Sequence, residues 1–282
     1  MIQDIVRESR TGTIGEADMA ARKLLIDAIA TPTLLSNTET WYNITTKEQQ
    51  LITKHHHQIL TRCLELPRSI PYYGLISELN TLPHVENIWY RKFMWLYRLV
   101  NSEDERPAKV ILLRRDNRWY KEVKKYAEEI NLDIQYHHLE NTSYETFKEQ
   151  ALTKIKQKVD GDVRHKQQSM RKLKWVRPEK QQQYLQQGIC TLQQAKTIMK
   201  VRLQMIATKM NHKTNEEDTT CRRCGTEDET TEHVLKCYAG MNFEEGKLED
   251  VEWLKRLVPI YDEIHKLHTK SETKEIDEQD EE

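Results

Sequence analysis

The sequence predicts a mainly α-helical protein built from several helices. Glycine and proline, which interrupt helices, are scarce, with 8 and 7 occurrences in 282 residues. Charged residues make up 32% of the chain, which is typical of amphipathic helices with one solvated face. Apolar residues recur at spacings of three and four, and two Thr-x-x-Glu or Thr-x-x-Gln patterns mark helix starts. Helices therefore account for most of the predicted fold.

The first predicted helix lies in the N-terminal stretch that ends at about Ser36. Its apolar residues recur at helical spacing and form one stripe, made of Ala20, Leu24, Leu25, Ala28 and Ile29. Pro32 is expected to break this helix, because proline lacks a backbone N–H and its ring clashes with the preceding turn.

The second predicted helix begins at a capping box. Thr45 is followed three residues later by Glu48, so each side chain can accept a hydrogen bond from the other residue's backbone N–H. One stripe along this helix is expected to face the core, made of Leu51, His55, Ile59, Cys63 and Leu66. Pro67 and Pro71 are expected to end it.

Four further helices are predicted in the middle of the chain. The third is defined by Trp89, Phe93, Leu96 and Val100, and the fourth by Trp119, Val123, Tyr126 or Ala127, and Ile130. The fifth is defined by Phe147, Ala151, Ile155 and Val159, and Gly161 is expected to end it. A second capping box, Thr191 with Gln194, opens a helix that is expected to run to about Lys209.

The charges of the chain are segregated, although its net charge is only −1. Residues 151–214 carry 15 Lys and Arg against 3 acids, whereas residues 243–282 carry 14 acids against 6 bases. This asymmetry predicts a basic surface for a polyanion and an acidic tail that competes with it. The tail after Lys270 is expected to be disordered.

One cysteine–histidine pattern has the spacing of a zinc module. Cys221-x2-Cys224-x8-His233-x3-Cys237 supplies three thiolates and one imidazole, enough for a tetrahedral zinc ion with no position left for water. A structural Zn²⁺ site is therefore predicted, and the metal would fold a segment too short to bury a core of its own. Two alternatives remain open: three ordinary reduced cysteines beside a surface histidine, and a redox Cys-x2-Cys pair.

A basic segment precedes this module and is a candidate nucleic-acid contact. Phosphates attract clustered cations, and Trp175 is a candidate for stacking on an unpaired base. The candidate contact residues, including two arginines inside the zinc module, are Arg164, Lys166, Arg171, Lys172, Lys174, Trp175, Arg177, Arg222 and Arg223. The alternative is a solvated helix face whose tryptophan is in the core, and a basic run of this kind also resembles a nuclear import signal.

Several phrases of the sequence resemble the region that follows the polymerase core in LINE-type (non-LTR) retrotransposon reverse transcriptases. The resemblance spans about residues 11–240, and it is carried by the P-x-LL-x-N-x-E-x-W phrase of residues 31–41, by residues 58–62, 66–71 and 91–94, and by the module Cys221 to Cys237. It implies thumb-like helices, a basic connector and a C-terminal zinc knuckle. The Tyr/Phe-x-Asp-Asp element that holds the polymerase metals is absent from this sequence.

The resemblance and the composition together give a domain prediction. We expect a thumb-like helical region over 1–110, a basic helical connector over 111–214, a CCHC-type zinc knuckle over 215–240, and a short helix with an acidic tail over 241–282. The cysteine usage and the absence of a long apolar run predict an intracellular protein without a membrane partner.

Three functions are compatible with this organisation. The first is a non-catalytic module that grips RNA or single-stranded DNA. The second is a protein-interaction or oligomerisation module, for which an exposed apolar patch around residues 89–100 is expected. The third is part of an active RNA-directed DNA polymerase, which requires upstream sequence that supplies the catalytic aspartates.

Overall fold

The computed structural model describes residues 18–103, 106–112, 117–178, 180, 182–206, 208–211, 218–240, 247 and 249–264. Within these ranges the protein is mainly α-helical, as predicted, and its strand pairing is limited to one isolated bridge between Thr220 and Asp228. None of the helices described is long and apolar enough to cross a bilayer. The helices are α1 Met19–Leu25, α2 Thr31–Leu34, α3 Thr46–Cys63, α4 Tyr72–Glu78, α5 His84–Val100, α6 Pro107–Leu112, α7 Arg118–Glu129, α8 Tyr136–Asn141, α9 Tyr144–Gln167, α10 Leu192–Arg202, α11 Thr231–Ala239 and α12 251–264.

Both predicted capping boxes are confirmed. At the start of α3 the backbone N–H of Thr45 donates to the Glu48 carboxylate (2.7 Å), and the Glu48 N–H donates to the Thr45 hydroxyl (3.3 Å). The same reciprocal pair joins Thr191 and Gln194 at the start of α10, with distances of 3.0 and 3.2 Å. The residues of each box lie within one turn, so tertiary packing is not needed to form them.

The expected break at Pro32 is wrong. The helix continues from α1 through a π-helical turn, Ile26–Ala30, into α2, and the Thr31 N–H donates to the carbonyl of Ile26 five residues earlier. In a regular α-helix the Pro32 ring would clash with the carbonyl of Ala28. The wider π turn accommodates the ring, so the chain stays helical as far as Leu34.

The apolar stripes of the first two predicted helices do not coincide with their buried faces. In the first helix Leu24 and Ile29 are exposed, and the buried face consists of Met19, Arg22, Ile26 and Ala30. In α3 Leu51 is 56% exposed, whereas His56 and Leu60 are buried. The buried face of α3 is thus rotated by one residue, about 100°, from the predicted stripe.

Two helix ends differ from their predictions. Helix α9 passes through Gly161 and ends at Gln167, because a glycine lowers helix propensity by only about 1 kcal/mol and other turns can offset that. Helix α10 ends at Arg202 rather than Lys209, and Gln204 then takes a left-handed conformation with φ of 50°.

The described residues divide into two compact units, each made of separated segments. The first unit contains the described parts of Met1–Lys23, Leu64–Asn80 and Lys166–Glu282, and the second contains Leu24–Cys63 and Thr81–His165. The predicted domain boundaries at residues 110, 214 and 240 remain predictions. The predicted disorder after Lys270 concerns residues outside those that the structure describes.

The core of the second unit is aromatic. The rings of Trp89 and Tyr126 stack with centroids 4.4 Å apart, and Trp95 meets Trp119 edge to face at 4.9 Å. Trp89, Phe93, Leu96 and Val100 are all buried, as the periodicity of the third helix predicted. The exposed apolar patch expected around residues 89–100 is therefore wrong, since this helix buries its apolar face within its own unit.

The P-x-LL-x-N-x-E-x-W phrase has a structural role in the second unit. Its chain reverses at Asn37, which has a φ of 61°, and then forms a 3-10 turn at Thr38–Thr40. The carbonyl of Glu39 accepts a hydrogen bond from the Trp119 ring N–H (3.0 Å), and the carbonyl of Trp41 accepts one from the Lys92 ammonium (2.6 Å). These two bonds fix the backbone of the phrase to α5 and α7.

The core of the first unit depends on a close approach at Gly74. A Cβ atom added there would lie 2.5 Å from a methyl carbon of Leu203 and 2.9 Å from one of Leu173, so a side chain at this position would collide with the core. A buried ionic network lies in the same unit. The Glu78 carboxylate accepts hydrogen bonds from Arg202 Nε (2.8 Å) and from the Tyr184 hydroxyl (2.7 Å), and all three residues are buried.

Candidate metal centre

A short hairpin in the first unit positions the first two cysteines. The Glu229 N–H donates to the Thr219 carbonyl and the Cys221 N–H donates to the Glu227 carbonyl, both at 2.7 Å. Between these bonds the chain turns at Gly225, which has a φ of 67° that favours glycine. The turn brings Cys221 and Cys224 to the same end of the hairpin.

Helix α11 positions the other two candidate ligands. Thr230 is its N-cap, and the Thr230 hydroxyl accepts a hydrogen bond from the His233 N–H (3.0 Å). His233 and Cys237 are four residues apart, so they lie on the same face of the helix. The hairpin and the helix therefore present two ligands each.

The four predicted ligands converge. The ligand atoms of Cys221, Cys224, His233 and Cys237 all lie within 4.8 Å of one another, so this cluster can hold a metal ion. In a tetrahedral zinc site the donor atoms are about 3.8 Å apart or closer, so only a small contraction separates this geometry from a ligated one. The donor set, three sulfurs and one imidazole nitrogen, is the kind that zinc prefers.

An outer layer of hydrogen bonds orients these ligands. The Glu227 carboxylate lies 2.9 Å from Nδ1 of His233, so Nε2 is the nitrogen that faces Cys224 Sγ, at 3.3 Å. A carboxylate on the far nitrogen fixes the ring orientation and the tautomer that a metal requires. The backbone N–H of Arg223 also donates a hydrogen bond to Cys221 Sγ (3.4 Å).

Two thiols of the cluster have shifted acidities. Hydrogen bonds from the Thr226 hydroxyl and from the backbone N–H groups of Glu227 and Thr226 lower the pKa of the Cys224 thiol to about 6. Burial and the neighbouring thiols of Cys221 and Cys224 raise the pKa of Cys237 to about 11. A metal cation would favour the thiolate form of both residues.

A buried carboxylate connects the hairpin to the preceding chain. Glu229 accepts hydrogen bonds from the backbone N–H of Arg222 (2.9 Å), from Arg222 Nε (3.0 Å) and from the backbone N–H of Lys209 (3.1 Å). Glu227 and Glu229 were not among the site residues predicted from the sequence. The available signal was the set of acidic residues between the second and third ligands, but four acids lie there and the sequence does not distinguish among them: Glu227, Asp228, Glu229 and Glu232.

The predicted nucleic-acid residues fall into distinct environments. Arg171 and Lys174 are exposed, and each lies 3.5 Å from the carboxylate of Glu232 in the first turn of α11. The Arg222 guanidinium is bound to Glu229, and the Arg223 guanidinium donates to the Tyr238 carbonyl (2.8 Å). The remaining cations lie at the end of α9 or in the segment after it: Arg164 and Lys166 are exposed, and Lys172 and Arg177 are half-buried.

The stacking role predicted for Trp175 is wrong. Its side chain is only 1% exposed and belongs to the core of the first unit, beside other buried residues of the same segment such as Leu173 and Val176. A base cannot reach this ring without unfolding the core. The basic segment therefore offers cations to a ligand but no exposed aromatic ring.

Comparison with known proteins does not identify a family for this chain. No protein-family model, curated protein or solved structure matches the chain. The resemblance to retrotransposon reverse transcriptases therefore remains a prediction from sequence motifs. The convergence of the four ligands stands on the geometry of the site alone.

Proposed function

We propose that the chain is a non-catalytic nucleic-acid-binding module in which a structural zinc ion supports a basic surface. The surface consists of the turn Arg171–Lys174, which lies beside the first turn of α11, and we call it the basic turn. The observation that carries this proposal is the position of Arg171 and Lys174, both 3.5 Å from Glu232, one residue before the metal ligand His233.

The charges of the basic turn favour an incoming phosphate. The side chains of Arg171 and Lys174 are 42% and 55% exposed, so their ion pairs with Glu232 are solvated. Exposed pairs of this kind contribute only about 0–1 kcal/mol, so a phosphate can replace the carboxylate at little cost. Each phosphate bound in this way releases counterions, which makes the affinity depend on salt.

The zinc ion is proposed to have a structural role. Three cysteines and one histidine complete a tetrahedral coordination shell, so no position remains for a reacting water. When bound, the ion would hold the hairpin against α11 and thereby fix Glu232 beside the basic turn. We propose no catalytic step, since the sequence has no paired-aspartate polymerase element. A polymerase role depends on aspartates supplied by a longer chain.

The test is direct binding of the zinc-loaded protein to labelled RNA, single-stranded DNA and duplex DNA across a salt series. Replacing Arg171, Lys172 and Lys174 with alanine should weaken binding and lower the slope of log affinity against log salt by about 2–3, because each lost phosphate contact lowers it by about 1. Glu232→Gln should strengthen binding, because it removes the carboxylate that competes with phosphate.

The matched control removes the same number of charges elsewhere. Lys121, Lys124 and Lys125 are exposed on α7, so their replacement with alanine changes the net charge equally but leaves the basic turn intact. If both triple variants lose the same affinity, binding reflects net charge alone and the proposal is wrong. Binding that does not respond to salt would contradict it as well.

A further inference from the structure

The second unit presents an aromatic surface to solvent. Trp41 and Tyr42, just after the 3-10 turn Thr38–Thr40, are 45% and 47% exposed. Together with Leu51 and Ile52 of α3 they line a groove of about 470 Å³, which we call the Trp41 groove. This volume is within the range of roughly 300–1,000 Å³ that is usual for ligand pockets.

The backbone beneath this groove is held in place although the rings are exposed. The Trp41 carbonyl accepts a hydrogen bond from Lys92, which is fully buried in α5, at 2.6 Å. Ile52, which lines the groove, packs against the core of the same unit. The two rings are thus displayed on a fixed backbone, and a ligand that binds them does not first have to order the chain.

The exposed face of α3 around the groove is positively charged. Lys47 and Lys54 are exposed and lie four and three residues from Leu51, so they flank it on the same face. The one acid of this helix, Glu48, lines the groove, and hydrogen bonds from the Thr45 hydroxyl and backbone (2.8 and 2.7 Å) lower its pKa and keep it ionised. The two lysines outnumber this one carboxylate, so the face has a net positive charge that favours an anion.

We propose that the Trp41 groove binds single-stranded nucleic acid by stacking unpaired bases on Trp41 and Tyr42, while the cations around Leu51 contact the phosphates. Exposed aromatic rings combined with flanking cations are the combination that unpaired strands require, since every base has a face that stacks and every linkage carries a negative charge. A proline-rich peptide also fits aromatic grooves, but it has no charge to match these cations.

This inference shares its ligand class with the proposed function but depends on a different surface. The basic turn belongs to the first unit and offers only cations, since Trp175 is buried there. The Trp41 groove belongs to the second unit and offers rings as well. The two can be separated experimentally, because stacking depends on bases whereas the cations of the basic turn depend only on phosphates.

The experiment compares three labelled probes of equal length on the full zinc-loaded chain. They are an unpaired oligothymidine, an abasic oligomer with the same number of phosphates, and a duplex. The oligothymidine should bind more tightly than the abasic oligomer. Changing both Trp41 and Tyr42 to alanine should weaken oligothymidine binding by about 30-fold or more and leave abasic binding unchanged, because stacking contributes about 1–3 kcal/mol per base and two stacked bases are lost.

Further variants guard against loss of folding and against a peptide ligand. Changing Trp41 and Tyr42 to phenylalanine keeps both rings and should retain most of the affinity, and Tyr136→Ala, at another partly exposed aromatic, should have no effect. Leu51→Lys should strengthen oligothymidine binding and Leu51→Glu should weaken it. The measurements are repeated with Arg171, Lys172 and Lys174 changed to alanine. Binding by the groove is then measured without any contribution from the basic turn, whether or not the proposed function is correct.

Two outcomes would overturn the inference. The first is equal affinity for the oligothymidine and abasic probes, with no effect of the double alanine change. The second is binding of a labelled proline-rich peptide that both Leu51 variants weaken, while the same variants leave the oligothymidine affinity unchanged. That result would identify the groove as a peptide site.

Discussion

The buried network of Glu78, Arg202 and Tyr184 gives a quantitative prediction about stability. The side chains of Glu78 and Arg202 have no solvent exposure, and Arg202 Nε donates to both carboxylate oxygens, at 3.0 and 2.8 Å. Arg202→Met keeps the unbranched apolar stem of the side chain but removes the guanidinium group with its charge and its donors. The Glu78 carboxylate would then be buried with the Tyr184 hydroxyl as its remaining side-chain donor in this network.

The expected cost of Arg202→Met is about 3–5 kcal/mol, the range observed when one partner of a buried ion pair is removed. Folded domains are stable by only about 5–15 kcal/mol, so this single change threatens the first unit as a whole. Burial raises the pKa of Tyr184, so its hydroxyl stays neutral and continues to donate its hydrogen bond to Glu78. Replacing all three members with apolar residues (Glu78→Leu, Arg202→Met and Tyr184→Phe) should recover at least about 2 kcal/mol, because no buried charge remains.

Urea unfolding of the zinc-loaded protein, followed by circular dichroism, measures both variants. The free energy of unfolding is obtained by linear extrapolation, and an unchanged slope verifies that the same surface is exposed. A loss below about 1 kcal/mol for Arg202→Met would refute this reasoning, because it would mean that water or another group replaces the arginine at no cost. A triple variant less stable than the single one would refute it too, since the penalty would then not come from an unpaired charge.

Acid should destabilise the second unit through His84, because burial and, to a smaller extent, Arg91 lower its pKa to about 4. This value lies below the unfolded one of about 6.5, so the stabilisation is complete above pH 6.5 and about 3 kcal/mol is lost as the pH falls towards 4. Urea unfolding between pH 7 and pH 5 should show about 2 kcal/mol of this loss, and a His84→Phe variant with an equally steep loss would contradict it. Chelation of zinc should abolish the slow hydrogen exchange of residues 221–237, as should Cys237→Ser, whereas Cys63→Ser should not. Unchanged exchange in protein that mass spectrometry shows to be metal-free would exclude a structural metal.

Features set within one turn of the chain could be predicted from the sequence. The capping boxes at Thr45 and Thr191 form because both partners are three residues apart. The four ligands Cys221, Cys224, His233 and Cys237 converge because one turn of hairpin and one turn of helix each present a pair. The periodicity from Trp89 to Val100 also predicted the buried face of α5 correctly, because large apolar side chains lose the most free energy when they are exposed.

Features that depend on distant packing could not be predicted. On α3 the residues Leu51 and His56 lie on different faces, and the apolar spacing alone predicted that the face with Leu51 is buried. The stacking of His56 on His84, with ring centroids 3.8 Å apart, decides in favour of the histidine, and a helix 28 positions further along the chain supplies the partner. Trp175 was ambiguous for the same reason, because a tryptophan among cations fits either a surface or a core until its neighbours are known.

The carboxylate of Glu229 has a consequence beyond its place in the hairpin. It holds the amide N–H of Lys209, a residue that contributes no metal ligand and lies twelve positions before the first cysteine. By thermodynamic linkage, any free energy that a bound ion adds to the hairpin also strengthens that remote hydrogen bond. The Lys209 amide is thus a natural spectroscopic reporter, whose nuclear resonance would register the occupancy of the site from outside the coordination sphere.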